Sequence, residues 1–239
     1  MKLLALDTAT ENCSAALWID GDVTSRGALL GRGHAEHILP MIDELLAEAG
    51  LALGRLDAIA FGRGPGAFTG VRIAVSIAQG LAFGAGLPAV PISDLAALGA
   101  RALERALAEP GAAGAAEALV ALDARMGEVY QGRVRPDAQL GVALLEEGLA
   151  PPAAAFAAPL AQGIVRVGAG HGFSAYPALG ARLAGSLAAV WPELLPRAEE
   201  IAALGVLAFK AGLAVAAEAA APVYLRDQVA SQSGRPRAQ

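Results

Sequence analysis

The sequence predicts an α/β protein built from two similar lobes, on three observations. Strand-like and helix-like apolar segments alternate through the first half. Val120-Ala121-Leu122-Asp123 echoes Leu4-Ala5-Leu6-Asp7, and each opens its region with a buried strand that ends in aspartate and turns into a hairpin. Between the two echoes, Gly62-Arg63-Gly64-Pro65-Gly66-Ala67-Phe68-Thr69-Gly70-Val71-Arg72 joins an apolar strand to a helix. A repeated opening of this kind points to a duplicated strand–strand–strand–helix unit.

Taken in order, Leu3–Asp7 and Ser14–Asp20 read as strands, and a turn at Gly21-Asp22 leads to a third at about Val23–Leu30. Ile38, Ile42, Leu45, Leu46 and Ala49 recur at helical spacing, and Gly50 ends that helix. Strand Leu56–Phe61, the glycine loop, helix Val71–Phe83, strand Ala89–Ser93 and helix Asp94–Leu107 complete the first lobe, with Thr69 and Ser93-Asp94 as helix caps. Glu109 to Glu117 is rich in turn formers and reads as a linker. Beyond it come strands at Val120–Asp123, Glu128–Arg135, Val142–Glu147 and Ile164–Gly168. A second glycine turn follows at Gly168–Gly172, and then a long helix from Ala198 to Ala219 and an extended Val223–Arg226. The lobes are therefore 1–108 and 118–230, with 109–117 between them and a flexible tail at 231–239.

Composition narrows the function. Apolar residues are 55% and aromatics 5% of 239, so the core is made of Ala, Leu, Val and Ile. The net charge of −5 comes without a basic cluster, so any nucleic-acid role needs a partner to supply the grip. The single cysteine, Cys13, excludes an intrachain disulfide framework and fits a reducing compartment. Asp7 comes too early for a signal peptide, and Lys210 and Glu218 interrupt the most apolar late stretch, so a cytoplasmic protein without a membrane role is expected.

The glycine loop presents backbone N–H groups at a helix start, a natural anion site. The same residues serve equally as a tight strand-to-helix connection that holds no ligand. The loop lacks the Lys-Ser/Thr of a Walker P-loop.

Four motifs in order, Leu4-Ala5-Leu6-Asp7-Thr8-Ala9-Thr10-Glu11, Gly64-Pro65-Gly66-Ala67-Phe68-Thr69-Gly70-Val71-Arg72-Ile73, Ala121-Leu122-Asp123-Ala124-Arg125-Met126-Gly127-Glu128-Val129-Tyr130 and Pro222-Val223-Tyr224-Leu225-Arg226, together resemble the TsaB (YeaZ) family from residue 1 to about 230. That family usually has Ser where Ala67 stands and Gly where Ala74 stands, both small-for-small changes. The resemblance implies the actin/sugar-kinase/Hsp70 fold of two ribonuclease-H-like lobes. It also implies a role in making threonylcarbamoyladenosine beside the tRNA anticodon. The chain would be a non-catalytic subunit beside a TsaD-like transferase and a TsaE-like ATPase, would form a homodimer when alone through the surface that receives the transferase, and would meet tRNA only through the complex. It would need no cofactor of its own. The alternative is a small-molecule kinase or ATPase of the same fold.

In fold relatives the hairpins at Asp7-Thr8-Ala9-Thr10 and at Asp123 to Gly127 hold ATP phosphates. Asp7, Thr8, Thr10, Asp123 and Arg125 are therefore a candidate vestigial nucleotide site. Arg125, Met126 and Glu128 would crowd the second cradle, which speaks against independent ATPase activity. His34 and His37 stand three apart without a third ligand, and Pro40 disturbs a helix there, so no metal site is expected. Cys13 has no basic neighbour and there is no Gly-x-Ser-x-Gly elbow, so no catalytic residue is expected.

The Val71–Phe83 helix is apolar or small on every side, which suits a core helix or one covered by a partner. The resemblance points to a partner. The interface expected from it comprises Ile38, Met41, Ile42, Leu45, Phe68, Thr69, Gly70, Arg72, Ile73, Ser76, Ile77 and Gly80, with close helix approach at Ser76 and Gly80.

Overall fold

The computed structural model describes residues 1–226, and the tail expected at 231–239 lies outside the described residues. Three apolar segments form the antiparallel meander β1 (Lys2–Asp7), β2 (Asn12–Ile19) and β3 (Asp22–Leu29). Asp20 and Gly21, both at positive φ, make the β2–β3 turn, one residue earlier than the sequence suggests. Helix α1 (His34–Glu48) continues past Pro40, which lies inside it and does not end it. Then β4 (Ala58–Gly62), α2 (Phe68–Ala85) and β5 (Ala89–Ile92) add two strands parallel to β1, giving the order β3-β2-β1-β4-β5.

Helix α3 (Asp94–Leu107) follows, capped by Ser93. The next residues are turns as far as Gly114, and Glu117 already opens β6 (Glu117–Arg125). With β7 (Glu128–Asp137), β8 (Gly141–Ala150), β9 (Arg166–Ala169) and β10 (Ala189–Trp191) it forms a second sheet in the order β10-β9-β6-β7-β8. Here too the first three strands are antiparallel and the last two parallel to the first, so the repeated openings belong to repeated sheets. Short helices α4 (Gly172–Ala175) and α5 (Pro177–Leu183) cover the outer face of this sheet. Glu117 is fully buried among Arg133, Arg166 and Arg135, at 2.6, 2.8 and 3.3 Å, and ties three strands together.

The last helix, α6, spans Ala198–Lys210 and not the expected Ala198–Ala219. Gly212 turns at φ 76°, and Val215 then bridges to Ala89 at the edge of the first sheet. The helices cross the division between the sheets. Helix α3 packs on β6, β7, β8 and β9, whereas α6 packs on β1, β2, β4 and β5, and the two meet as a central layer. Helices α1 and α2 are left on the outer face of the first sheet. Among the described residues α2 alone has the length and apolarity of a membrane span, and it is seated on β4 as part of this lobe.

Candidate functional site

The glycine loop folds onto its own lobe. A Cβ on Gly66 would lie 2.4 Å from the Ala9 carbonyl oxygen, and one on Gly70 would lie 2.1 Å from that of Thr8. Ala67 N–H donates to the Ala9 carbonyl at 2.7 Å, and the Thr8 hydroxyl donates to the Gly70 carbonyl at 2.6 Å. The glycines therefore serve backbone-to-backbone approach between the loop and the β1–β2 turn. Helix α2 begins at Phe68 with Ala67 as its cap, so Thr69 lies inside the helix and does not cap it.

These contacts take Asp7 and Thr8, two of the five candidate nucleotide-site residues, out of reach of a ligand. Asp7 and Thr8 are fully buried and Thr10 nearly so. Asp7 Oδ1 accepts from Ala9 N–H, and Thr10 Oγ1 accepts from Asn12 N–H. All three side chains hold the turn; Thr10 also lines the interlobe cleft, whereas Asp7 and Thr8 do not.

That cleft, of about 360 Å³, lies between the two aspartate hairpins. Asp123 and Arg125 do line it, but they face each other: Arg125 Nη1 is 3.0 Å from Asp123 Oδ2, while Asp123 Oδ1 accepts from Arg125 N–H and the Tyr176 hydroxyl. Arg125, Met126 and Gly127 all sit at positive φ in the hairpin tip. His171 Nδ1 accepts from Asp123 N–H at 2.9 Å, which leaves the ring proton on Nε2, 3.5 Å from Glu11 across the cleft. Burial lowers the pKa of this imidazole and so favours its neutral form. On the other side Pro222–Arg226 forms a strap between the lobes. Val223 N–H donates to the Arg63 carbonyl at 2.8 Å, and Arg226 pairs with Glu128 at 2.6 Å.

The sequence pattern Ser93-Asp94 suggests only a helix cap; Ser93 is the cap, and Asp94 is the buried partner of Asp7. The two carboxyls share a hydrogen bond, and Asp94 Oδ2 also accepts from Gly64 N–H. Burial raises both acids, Asp7 to about 6, and the charge of Asp7 raises Asp94 further. The pair therefore holds on to a proton that two separate carboxyls would have released. A carboxyl whose pKa rises on folding stabilises the fold while protonated, so stability should fall as pH climbs from about 4 through 6 and beyond, by roughly 2–3 kcal/mol from Asp7 alone and further through Asp94. Asp94→Asn supplies the donor at every pH. Melting temperatures from pH 5 to 8 should decline in the parent chain and stay flatter in the variant; parallel curves would rule the shared proton out.

The expected interface divides by burial. Ile38, Ile42 and Leu45 are at most 2% exposed and pack beneath α1, and Gly70 is pressed on Thr8. These four are core residues, because the apolar stripe of α1 faces β2 and the start of α2 touches the β1–β2 turn. Phe68, Thr69, Arg72, Ser76 and Gly80 are exposed, and Met41, Ile73 and Ile77 are half-buried. A shallow apolar groove runs along Ala35, Phe68, Thr69, Arg72, Ile73, Ser76 and Ile77. Phe83, 66% exposed, extends the face, and nothing lies within 4 Å of a Cβ built on Gly80 or Gly84.

The histidines have local partners or none. His34 Nε2 is 2.8 Å from the Thr10 carbonyl, and His37 is exposed. Among the described residues no three His, Cys, Asp or Glu side chains come together as a metal set. Burial pushes the Cys13 thiol up to about 11, which makes it a poor nucleophile.

Comparison with known proteins places this geometry. Residues 28–233 match the family model of TsaD, tRNA N6-adenosine threonylcarbamoyltransferase. The tRNA threonylcarbamoyladenosine biosynthesis protein TsaB of Escherichia coli is 41% identical over 232 residues, 96% of each chain. The chain belongs to the TsaB family. A TsaB of Haemophilus influenzae is 54% identical over 134 residues, 56% of this chain and 54% of its own. The solved YeaZ of Pseudomonas aeruginosa superposes with a TM-score of 0.80 at 42% identity, covering 94% of this chain and 99% of that one. The fold is accordingly the actin-like pair of ribonuclease-H-like lobes seen in this TsaB/YeaZ neighbour.

Sequence reasoning missed three groups that shape the TsaB surface and seam. The Asp7–Asp94 pair joins residues 87 positions apart. Glu11 reaches His171 across the cleft, and Tyr224 joins Phe68 and Arg72. Only the last left a trace, since Phe68, Arg72 and Tyr224 all fall inside motifs shared with the family.

Proposed function

We propose that this chain is the non-catalytic docking subunit of the machinery that forms tRNA threonylcarbamoyladenosine. The TsaB relatives are named for that pathway, and the alternative of a small-molecule kinase is not favoured. The observation that carries the docking role is the outer face of α2. An 18-residue helix that shows Ser76, Gly80 and Gly84 to open space beside an apolar groove offers a second helix close approach and little to a small substrate. The partner is a TsaD-like transferase, joined in the complex by a TsaE-like ATPase; alone, the chain pairs with itself through the same face. It contacts tRNA through the complex and holds no cofactor of its own.

The cleft supports this reading. Asp7 and Thr8 are sealed in the turn, and Arg125 is turned back onto Asp123, so a triphosphate finds no open cradle there. The purified chain should hydrolyse ATP no faster than a buffer blank, and sedimentation should show a dimer that exchanges for a heterodimer when the transferase is added. ATP turnover that tracks the purified chain, or a homodimer untouched by transferase, would contradict the proposal.

A further inference from the structure

The strap Pro222–Arg226 is fastened to both lobes within a few residues. Val223 N–H donates to the Arg63 carbonyl at 2.8 Å, and the Val223 carbonyl oxygen is 3.0 Å from where a Cβ on Gly64 would stand, so the chain here rests on the glycine loop. Tyr224 then turns onto α2. Its hydroxyl accepts from Arg72 Nε at 2.7 Å, and its ring centroid lies 5.8 Å from that of Phe68. The Arg72 guanidinium covers the same Phe68 ring, 3.6 Å from its centroid. Two residues on, Arg226 belongs to the second lobe: its Nη2 donates to Glu128 at 2.6 Å and to the Ala124 carbonyl at 3.1 Å, both on the β6–β7 hairpin. The backbone from Tyr224 to Arg226 can span at most about 7 Å. The hairpin therefore cannot move far from α2 without breaking one anchor or the other.

The other ties near the cleft are weaker or lie elsewhere. Glu11 is half-exposed and stands 3.5 Å from His171 and 3.8 Å from Arg125, contacts that contribute little in water. Arg63 reaches Glu147 of β8 at 3.0 Å and does not touch the hairpin tip. The Arg226–Glu128 pair, by contrast, is charge-assisted, and its arginine is only 18% exposed. Phe68 lines both the cleft and the α2 groove, so one side chain belongs to both surfaces.

We infer that Pro222–Arg226 couples the width of the interlobe cleft to the outer face of α2. Rearranging Phe68 and Arg72 in the groove releases Tyr224 and lets the β6–β7 hairpin swing away. Opening the cleft pulls on Arg226 and draws Tyr224 off α2. The coupling element is a short backbone segment anchored at both ends, so each end biases the same open or closed arrangement. Tyr224 and Arg226 are positioning residues in it, and the coupling is internal to the chain whatever covers α2.

The test uses the full chain with spin labels at Leu29→Cys on β3 and Ser174→Cys on α4, exposed positions on opposite lobes, while the native Cys13 stays buried. Fluorotyrosine in place of the three tyrosines gives Tyr224 a fluorine signal. Every variant also carries Gly80→Arg. That change keeps a second copy off α2 and, if the docking role fails, only adds an exposed side chain, so the outcome does not hang on that role. Arg72→Met, a cut at the α2 end, should lengthen and broaden the distance between the labels. Glu128→Gln, a cut at the second-lobe end, should do the same and also shift the Tyr224 signal, although Glu128 lies on the other lobe. Arg226→Met removes the remaining hold through Ala124 and should give the Glu128→Gln changes at larger size. In chains with native circular dichroism, a label distance that Arg72→Met leaves unchanged would overturn the coupling. So would a Tyr224 signal that neither Glu128→Gln nor Arg226→Met shifts.

Discussion

Gly80→Arg is expected to give a folded monomer that neither pairs with itself nor binds the transferase. The fold should tolerate the change, because a Cβ at Gly80 meets nothing within 4 Å. Replacing glycine in a helix interior with arginine even adds about 0.8 kcal/mol of helix propensity. At the centre of a helix-on-helix joint the same side chain removes the close approach and buries an unpaired cation, a cost of several kcal/mol. That corresponds to a loss of association of at least about a hundredfold. Ser76→Arg, one turn earlier on the same exposed face, should behave alike. Sedimentation velocity reads the self-association and a pull-down with transferase the other. A variant with native circular dichroism and both associations intact would place the joint elsewhere.

The opposite behaviour is expected ten and fourteen residues upstream of Gly80, where glycine is needed by the fold itself. Gly70→Ala should destabilise the chain by about 3 kcal/mol or more, because its Cβ would sit 2.1 Å from the Thr8 carbonyl oxygen and 3.1 Å from its carbon. Both are backbone atoms of the β1–β2 turn, so no side chain can swing aside. Separating the two segments would also break the 2.6 Å bond from the Thr8 hydroxyl to the Gly70 carbonyl. Gly66, whose Cβ would lie 2.4 Å from the Ala9 oxygen, should be as intolerant. In a chain of this size the loss should lower the melting temperature by roughly 6–12 °C. A drop of only a degree or two would mean that the loop can lift off the turn without consequence.

The contrast between Gly70 and Gly80 marks how far the sequence could be read. Strands were legible because each lobe repeats an apolar run into aspartate, and the paired sheet orders bear that out. The helix at Ile38 to Ala49 was legible from its spacing, but the residues that revealed it, Ile38, Ile42 and Leu45, are those it buries. Periodicity finds the inward face, so the residues that reveal this helix belong to the core and not to the surface that the resemblance implies. On α2 small residues line both sides, and only the fold tells the buried Ala74 and Ala78 from the open Ser76 and Gly80. Asp7 was legible as a hairpin residue, yet its pairing with Asp94 depends on how β1 and the start of α3 meet beside Gly62. The crossing of α3 and α6 between the sheets left no local trace, since each helix is amphipathic or apolar enough to suit either sheet.

The most direct test is reconstitution of threonylcarbamoyl transfer to tRNA from purified components, with the chain, its Gly80→Arg variant and the transferase added separately and together. The chain alone should transfer nothing. The transferase and its ATPase should turn over when the parent chain is added and should stay near background with Gly80→Arg. Transfer by the chain without its partner, or full support from a monomeric Gly80→Arg chain, would contradict a docking subunit that works through the exposed face of α2.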